Sequence, residues 1–244
     1  MVIMAKAYFI SDLHIGAETG EAEERKQKRF LEFLSDIEKS VTDLYIVGDL
    51  FDFWFEYRQV IPKKYFVFLH RFKQLTDKGV KIYYLAGNHD FALGTFFDSQ
   101  LGIKTFLNTY EFTLAEKRFF LYHGDGVAKN DGGYRLLKKI LRSGWNQKIF
   151  RWIHPDVGIR LALSVSGSSR KYTNQKNGER DESDYKEFAQ LKFNDGFDYV
   201  IMGHRHNPLT YETPNGLYIN LGDWIVNYSF AVFDGQSLQL KFFK

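Results

Sequence analysis

Apolar residues along the chain gather in short runs that alternate with longer amphipathic segments. The runs Ala7–Asp12, Asp43–Asp49 and Val80–Leu85 are short and nearly continuous, which predicts buried strands. Between them, Glu21–Lys39 and Lys63–Lys78 carry apolar residues at helical spacing, which predicts helices. The order β-α-β-α-β indicates a mostly parallel sheet with crossover helices, as in α/β proteins.

The second half of the chain continues with shorter strand candidates and contains a long insertion. The insertion covers Asp131–Asp181 and is predicted to hold two helices, broken near Pro155. A further helix is predicted at about Ser183–Phe193. Strands are predicted at Phe112–Leu114, Arg118–Tyr122, Asp198–Met202, Leu217–Leu221, Ser229–Phe233 and Leu238–Phe243. We therefore expect one α/β domain over residues 1–244, with residues 131–181 as a helical cap insertion within it.

Polar clusters follow five of the apolar strands. Their sequences are SDLH, GDLFD, GNHD, HGD and GHRH. Because polar groups at the carboxyl ends of strands in an open α/β sheet converge on one crevice, we expect a binding site there. The candidate metal ligands in these clusters are Asp12, His14, Asp49, Asn88, His123, His204 and His206.

The ligand types suggest two divalent cations. Two such cations about 3.5–4 Å apart repel each other and need a shared anionic ligand, for which Asp49 is suitably placed. Mixed His and carboxylate ligation suits Mn²⁺, Fe or Zn²⁺ better than Ca²⁺ or Mg²⁺. If the segment is extended, Asp12 and His14 point the same way, and His204 and His206 repeat that spacing.

Composition limits the kinds of site and partner. Hydrophobic residues make up 44% of the 244 residues, enough for a sizeable core, and the net charge of +3 is too small to argue for nucleic acid. The chain has no cysteine, so a thiolate metal site is excluded. No secretory signal and no run of about 18 apolar residues is visible. We expect a cytoplasmic protein with room for peripheral membrane contact, and the oligomeric state stays open.

The ordered set D-x-H, G-D-x-x-D, G-N-H-D, H-G-D and G-H-x-H resembles the calcineurin-like metallophosphoesterase family. It stands here as Asp12/His14, Gly48–Asp52, Gly87–Asp90, His123–Asp125 and Gly203–His206, in family order. The resemblance implies a four-layer αββα sandwich.

The same resemblance implies a role for each motif residue. One metal would be held by Asp12, His14, Asp49 and His206, and the other by Asp49, Asn88, His123 and His204. A hydroxide bridging the metals would attack phosphorus in line. The catalytic residue His89 would lie near the leaving or nonbridging oxygen, oriented by Asp52.

Longer matches resemble one branch of the family, the UDP-2,3-diacylglucosamine pyrophosphatases of lipid A synthesis. They are Gly48–Trp54, Gly87–Phe91, the segment from Asp131 to Tyr134, and Leu221–Trp224. The branch implies a manganese enzyme at the inner membrane face, cleaving UDP-2,3-diacylglucosamine to UMP and 2,3-diacylglucosamine 1-phosphate. His89 is a departure, since the best-known members have Arg there. The substrate contacts implied are Asn88, His89, Asp131, Tyr134, Arg170, Lys171 and His204.

The insertion and an aromatic run each allow two interpretations. From Tyr134 to Tyr172 there are nine basic residues and one acidic residue, interleaved with apolar ones. Such helices suit an anionic membrane surface or an amphiphilic phosphorylated ligand, or they form a hairpin that packs on the body of the protein. The aromatic residues of Phe51–Tyr57 either fill the core or line a wall for acyl chains.

Two other functions remain as alternatives to the lipid hydrolase. One is a different calcineurin-like phosphodiesterase or nucleotide pyrophosphatase. The other is a non-catalytic scaffold of the same fold, for which loss of metal ligands is expected. The aromatic run and the basic, apolar insertion favour the lipid hydrolase, whereas a nuclease is expected to show a basic groove without an acyl cavity.

Overall fold

The strands of the protein form two β-sheets. The computed structural model describes residues 6–129, 132–164 and 181–244. The first sheet has the strand order β11-β10-β1-β2-β3-β4, in which β1 to β4 are parallel and β10 and β11 are antiparallel additions. Its strands are β1 (Ala7–Ile10), β2 (Asp43–Val47), β3 (Lys81–Leu85), β4 (Lys104–Phe106), β10 (Ser229–Phe233) and β11 (Leu238–Phe242).

The second sheet has five strands in the order β5-β6-β7-β9-β8. Its central strands β6, β7 and β9 are parallel, and antiparallel strands close both edges. The strands are β5 (Thr109–Leu114), β6 (Lys117–Tyr122), β7 (Tyr199–Met202), β8 (Leu209–Thr213) and β9 (Gly216–Asn220).

Seven α-helices occur in the described residues, and those within residues 132–164 belong to the insertion. They are α1 (Glu21–Ile37), α2 (Phe66–Asp77, after a 3₁₀ turn at Lys63–Tyr65), α3 (Phe96–Leu101), α4 (Gly132–Arg142), α5 (Gly144–Phe150), α6 (residues 155–164) and α7 (Ser183–Asn194). Phe30 of α1 and Phe72 of α2 are buried against the first sheet. Tyr185 and Phe193 of α7 are buried against the second. The layer order is therefore αββα, as predicted.

The inner faces of the two sheets meet in a core of stacked aromatic rings. Phe9, Tyr45 and Tyr83 lie opposite one another on adjacent parallel strands, so their side chains share one face. The ring centroids of Phe9 and Tyr45 are 4.8 Å apart, and those of Tyr45 and Tyr83 are 4.7 Å apart. Tyr45 also stacks on Phe112 of the second sheet at 4.7 Å. Because both faces of β2 are covered, all five of its residues are buried.

The insertion differs from its prediction in one respect. The part that the structure describes contains three helical segments, not two, because a break at Ser143 separates α4 from α5. The predicted break near Pro155 is correct, and α6 begins there, where proline suits a first helical turn. The short elements α3, β4 and β8 had no prediction. None of the described helices has the length and apolar character needed to cross a bilayer.

Candidate metal centre

The loops after β1, β2, β3, β6 and β7 meet at the carboxyl ends of the strands, where the two sheets adjoin. They bring together all seven residues that the motifs singled out as metal ligands. Those residues are Asp12, His14, Asp49, Asn88, His123, His204 and His206. The first sheet supplies four of them and the second sheet supplies three, so the centre bridges both halves of the fold.

Asp12, His14 and His206 form the first group. The Nε2 atom of His206 lies 3.3 Å from Oδ1 of Asp12 and 3.3 Å from Nε2 of His14. Two imidazole nitrogens that face each other at this distance need a proton or a cation between them. The three side chains can each offer one ligand atom, and these atoms all lie within 4.8 Å of one another. The group therefore fits a divalent cation.

Asp49, Asn88, His123 and His204 form the second group. The Nε2 atom of His123 lies 3.3 Å from Oδ2 of Asp49 and 3.0 Å from Oδ1 of Asn88. The Nδ1 atom of His204 lies 2.9 Å from the same Asn88 oxygen. Imidazole, carboxylate and amide oxygen together are a donor set suited to first-row divalent metals.

Asp49 belongs to both groups. Its Oδ2 atom is 3.3 Å from Nε2 of His123 and 3.5 Å from Nε2 of His14. A single carboxylate between two cation positions is the arrangement that two mutually repelling cations need. His89 also comes within ligand distance of His14 and Asp49, so the centre has one further imidazole at its edge.

The ligand-bearing loops have an unusual backbone. Asp12 and His14 have φ angles of 53° and 44°, so the extended backbone predicted for Asp12-Leu13-His14 is wrong. Their side chains converge instead through left-handed conformations, and Asp49, His204 and His206 have φ angles of 52°, 68° and 52°. Each such residue costs about 1–2 kcal/mol relative to ordinary backbone. The surrounding contacts must therefore hold these loops in place.

Glycine beside a ligand permits close packing of the loops. A Cβ atom on Gly48, which has a φ of 83°, would collide with the ring of His123. A Cβ atom on Gly87 would collide with the carboxylate of Asp49. The glycines of the G-D and G-N-H-D motifs are thus required because other ligands lie directly against their backbone.

Buried groups behind the ligands hold the rings in one orientation. The Nδ1–H of His123 donates to the carbonyl of Val47 at 2.8 Å, which leaves Nε2 facing the centre. Asp223 lies behind His206, with Oδ2 3.9 Å from Nδ1 of that ring. Asp223 stands in the L-G-D-W motif, and its place in the sequence indicated no contact with His206.

Asp90 and Asp125 support the centre from outside it. Asp90 accepts backbone N–H groups of Leu50 at 2.8 Å and of Gly87 at 2.7 Å, so it ties the loops after β2 and β3 together. Asp125 pairs with Lys138 of α4, with 2.7 Å between Oδ2 and Nζ. That ion pair connects the insertion to the H-G-D loop.

His89 lies beside Asp52 at the half-buried edge of the centre. Its Nδ1–H donates to the backbone carbonyl of Asp52 at 3.0 Å, and Oδ1 of Asp52 lies 3.5 Å from the same nitrogen. Its Nε2 atom lies 4.0 Å from Oδ2 of Asp49. The ring thus presents Nε2 toward the space between the two groups. The hydrogen bond goes to the backbone of Asp52, and the catalytic role of the two residues stays a prediction.

Burial and charge set the protonation of the candidate ligands. Burial lowers the pKa of His14 and of His204 to about 4, so both rings are neutral at pH 7. Burial also acts against charge on His123, but the carboxylate of Asp49 outweighs it and raises the pKa of His123 to about 10. Despite burial, His206 and His14 hold the pKa of Asp12 well below its usual range. The carboxylates are therefore ionised and available to cations.

The predicted substrate contacts divide into those the structure describes and those it does not. Asn88, His89 and His204 lie in the centre itself. Asp131, Arg170 and Lys171 lie outside the described residues, as does the side chain of Tyr134.

The aromatic residues after Asp49 pack in two different clusters. Phe51 and Trp54 are fully buried in the core beside the first sheet. Phe53, Phe55 and Tyr57 form an apolar cluster with the insertion, in which Phe55 lies 4.7 Å from the ring of Phe150 in α5. The run is thus divided between the core and the contact with the insertion, and the wall for acyl chains stays a prediction.

Two sheets flanked by helices, with clustered imidazoles and carboxylates at the strand ends, define a metal-dependent phosphoesterase, which is a class of hydrolase. The chain belongs to the calcineurin-like phosphoesterase family, whose model matches residues 5–208. The family and the enzyme class predicted from the motifs are therefore confirmed.

Proteins named UDP-2,3-diacylglucosamine hydrolase are similar to this chain over nearly its whole length. The protein from Porphyromonas gingivalis is 29% identical over 255 residues, covering 97% of each chain. The protein from Haemophilus ducreyi is 30% identical over 223 residues, covering 91% of this chain and 92% of its own. The protein from Haemophilus influenzae is 27% identical over 245 residues, covering 99% of this chain and 100% of its own.

Proposed function

We propose that the protein hydrolyses the diphosphate of UDP-2,3-diacylglucosamine, releasing UMP and 2,3-diacylglucosamine 1-phosphate with consumption of one water. The observation that carries the proposal is the similarity to hydrolases of this name along 91–99% of the chain, helical insertion included. The complete set of ligand side chains at the strand ends supports a catalytic protein over a scaffold.

We assign two divalent cations to the two residue groups. Asp12, His14, Asp49 and His206 would hold one, and Asp49, Asn88, His123 and His204 the other. Mn²⁺ is our first choice, with Fe and Zn²⁺ as alternatives for the same donors. When bound, such metals lower the pKa of water and neutralise charge on phosphoryl oxygens.

His89 is the residue we assign to the phosphoryl oxygens. Because its Nδ1–H donates to the carbonyl of Asp52, its Nε2 carries a proton only when the ring is an imidazolium. In that form the ring would face the carboxylates of Asp52 and Asp49, whose oxygens lie 3.5 Å and 4.0 Å from its nitrogens. The ring can then donate a proton or a hydrogen bond to the departing or nonbridging oxygen.

The apolar cluster between body and insertion suits the acyl chains of the substrate. Phe53, Phe55 and Tyr57 supply one wall, and Phe150 and Leu163 supply the other. Lys138 and Arg142 of α4 attach that second wall to the centre, since Arg142 donates to the carbonyl of Gly87 at 3.1 Å. An acyl site would thus lie next to the diphosphate site.

The outer surface of the insertion suits an anionic bilayer. The side chains of Trp145 and Trp152 are 76% and 82% exposed, and Ile149 between them is also exposed. Arg135 and Lys139 of α4, Lys148 of α5 and Arg151, which directly follows α5, are exposed as well. Aromatic and basic residues together are typical of helices that rest on a membrane surface. We propose a cytoplasmic protein with peripheral contact to the inner membrane.

The test is hydrolysis of UDP-2,3-diacylglucosamine by the Mn²⁺-loaded protein, with UMP release compared against UDP-glucose and a chromogenic phosphodiester. We expect fast turnover of the acylated substrate alone. The Asp49→Ala variant, purified in the same way, reports any contaminating hydrolase. Turnover of the small substrates without the lipid would contradict the assignment and favour another phosphodiesterase activity.

A further inference from the structure

Lys26 is a buried cation on the helix that follows the D-x-H motif. It lies on α1, and only 1% of the residue is exposed. Its ammonium donates to the backbone carbonyl of His14 at 2.8 Å and pairs with Oε2 of Glu23 at 2.9 Å. Burying an ammonium is unfavourable unless it is paired and hydrogen-bonded, so these two contacts account for its position.

Glu23 extends this contact along the loop after His14. Its Oε1 atom accepts the backbone N–H of Gly16 at 2.7 Å, and its Oε2 atom accepts that of Glu18 at 3.1 Å. The pair of Lys26 and Glu23 therefore contacts backbone groups of three loop residues. The Nζ atom of Lys26 also lies 3.9 Å from the side-chain Oε2 of Glu18 in the same loop.

The peptide groups of His14 are held from two sides. Its N–H donates to the carbonyl of Asp49 at 2.9 Å, and its own carbonyl accepts from Lys26. His14 has a φ of 44°, a conformation that residues other than glycine rarely adopt. A strained backbone conformation persists only where neighbouring contacts hold it, and these two hydrogen bonds hold the backbone of His14.

We propose that Lys26, oriented by Glu23, is a positioning residue that fixes His14 toward the first metal position. The inference rests on the proposed metal assignment of His14 and is independent of the substrate. A purely structural role predicts a different result. A buried ion pair that only attaches α1 to the rest of the protein would affect folding, but it would leave the metal affinity of the folded protein unchanged.

The test measures Mn²⁺ binding to the metal-free protein by equilibrium dialysis, in wild type and in Lys26→Met. We expect wild type to bind two ions, and the variant to keep one tight site while the other weakens about 10–100-fold, as loss of a group that orients a ligand typically does. Lys28→Met on the same helix is the matched control, because Lys28 is exposed, with its side chain 80% accessible. It should bind both ions as wild type does.

Two further variants separate positioning from folding. Lys26→Met combined with Glu23→Gln leaves no buried charge of this pair unpaired, so it should be more stable than the single variant and show the same selective loss. In a His14→Ala background, Lys26→Met should cause no additional loss, because both act on one site.

The outcomes distinguish the two proposals. A lowered Tm with both Mn²⁺ affinities within about twofold of wild type would overturn the role of Lys26 alone. Equal weakening of both sites would also overturn it. A wild-type protein that binds no Mn²⁺ would overturn the metal assignment together with the role of Lys26.

Discussion

Asp223 lies 3.9 Å from Nδ1 of His206, on the side of the ring that faces away from Asp12. The same carboxylate accepts the backbone N–H groups of Ile225 at 2.8 Å and Val226 at 2.7 Å through its other oxygen. A carboxylate behind an imidazole raises the basicity of the nitrogen that binds metal and fixes the ring. Asp223 thus serves both the turn after β9 and the ring of His206.

Asp223→Asn separates these two effects. The amide oxygen can still accept the backbone N–H groups, so the turn should persist, but the negative charge behind His206 is lost. We expect Mn²⁺ affinity at the first position to fall about 10-fold or more, with Tm of the metal-free protein little changed. Equilibrium dialysis and thermal melts measure the two effects. Unchanged affinity would show that the charge of Asp223 has no influence on His206.

His89→Ala should leave metal binding largely intact while reducing kcat. The reason is that His89 lies at the edge of the centre and is tethered to Asp52, whereas both groups remain complete without it. Loss of a proton donor typically costs about 10²–10⁴-fold in rate. Metal content by atomic absorption serves as the control on the same samples. If metal content collapses, His89 is a ligand.

Asp49→Ala should reduce occupancy of both metal positions. Its Oδ2 atom lies within 3.5 Å of a ring nitrogen in each group, so its removal deprives both of their shared anion. His14→Ala is the matched comparison, since it should empty only the first position. Loss of a single ion from Asp49→Ala would contradict the bridging role.

Metal affinity should rise with pH from about 6 to 9. In the metal-free protein Asp49 raises the pKa of His123 to about 10, so this ring is protonated below that pH and must lose its proton when a cation binds. Affinity therefore increases with pH until the pKa is passed. Isothermal titration calorimetry in buffers of different ionisation enthalpy measures the release, which we expect to exceed one proton at pH 7, because Asp12 also raises the pKa of His206 despite burial. If no proton is released at pH 7, His123 is already neutral in the metal-free protein, and the prediction is wrong.

Phe150→Ala should raise the KM for the acylated substrate and leave turnover of a small chromogenic phosphodiester nearly unchanged. Phe150 packs on Phe55 in the apolar cluster, away from the residues of the metal centre. Removing a large aromatic ring from an apolar site weakens binding by about 2–3 kcal/mol. Leu191→Ala, an exposed position on α7, is the control. Equal loss on both substrates would assign the cluster to folding.

The clustering of the seven candidate ligands could be predicted because they stand in short motifs at the ends of recognisable strands. The layer order and the parallel pairing of β1, β2 and β3 also followed from the alternation of elements. The sequence did not predict the backbone of Asp12 and His14. Left-handed conformations at these positions depend on contacts with loops that are distant in the chain.

Lys26 and Asp223 were missed for a related reason. On an amphipathic helix a lysine is expected to be exposed, and only the fold places Lys26 beneath the loop of His14. Asp223 is far in sequence from His206 and meets it through the packing of β9 beside β7. Similarly, periodicity could not predict which residues of Phe51–Tyr57 face the core and which face the insertion. Residues two apart point to the same side only in a regular strand, and this segment is not one.

The candidate ligands come from both sheets, so cations bound to them would connect the two halves of the sandwich. Asp12 and His14 come from the first sheet and His206 from the second, while Asp49 and Asn88 face His123 and His204 in the same way. Separating the sheets would break both coordination groups at once. A cation that binds only the folded state at 100 times its Kd adds about 2.7 kcal/mol to stability. The ions needed for chemistry would therefore also hold the sandwich closed.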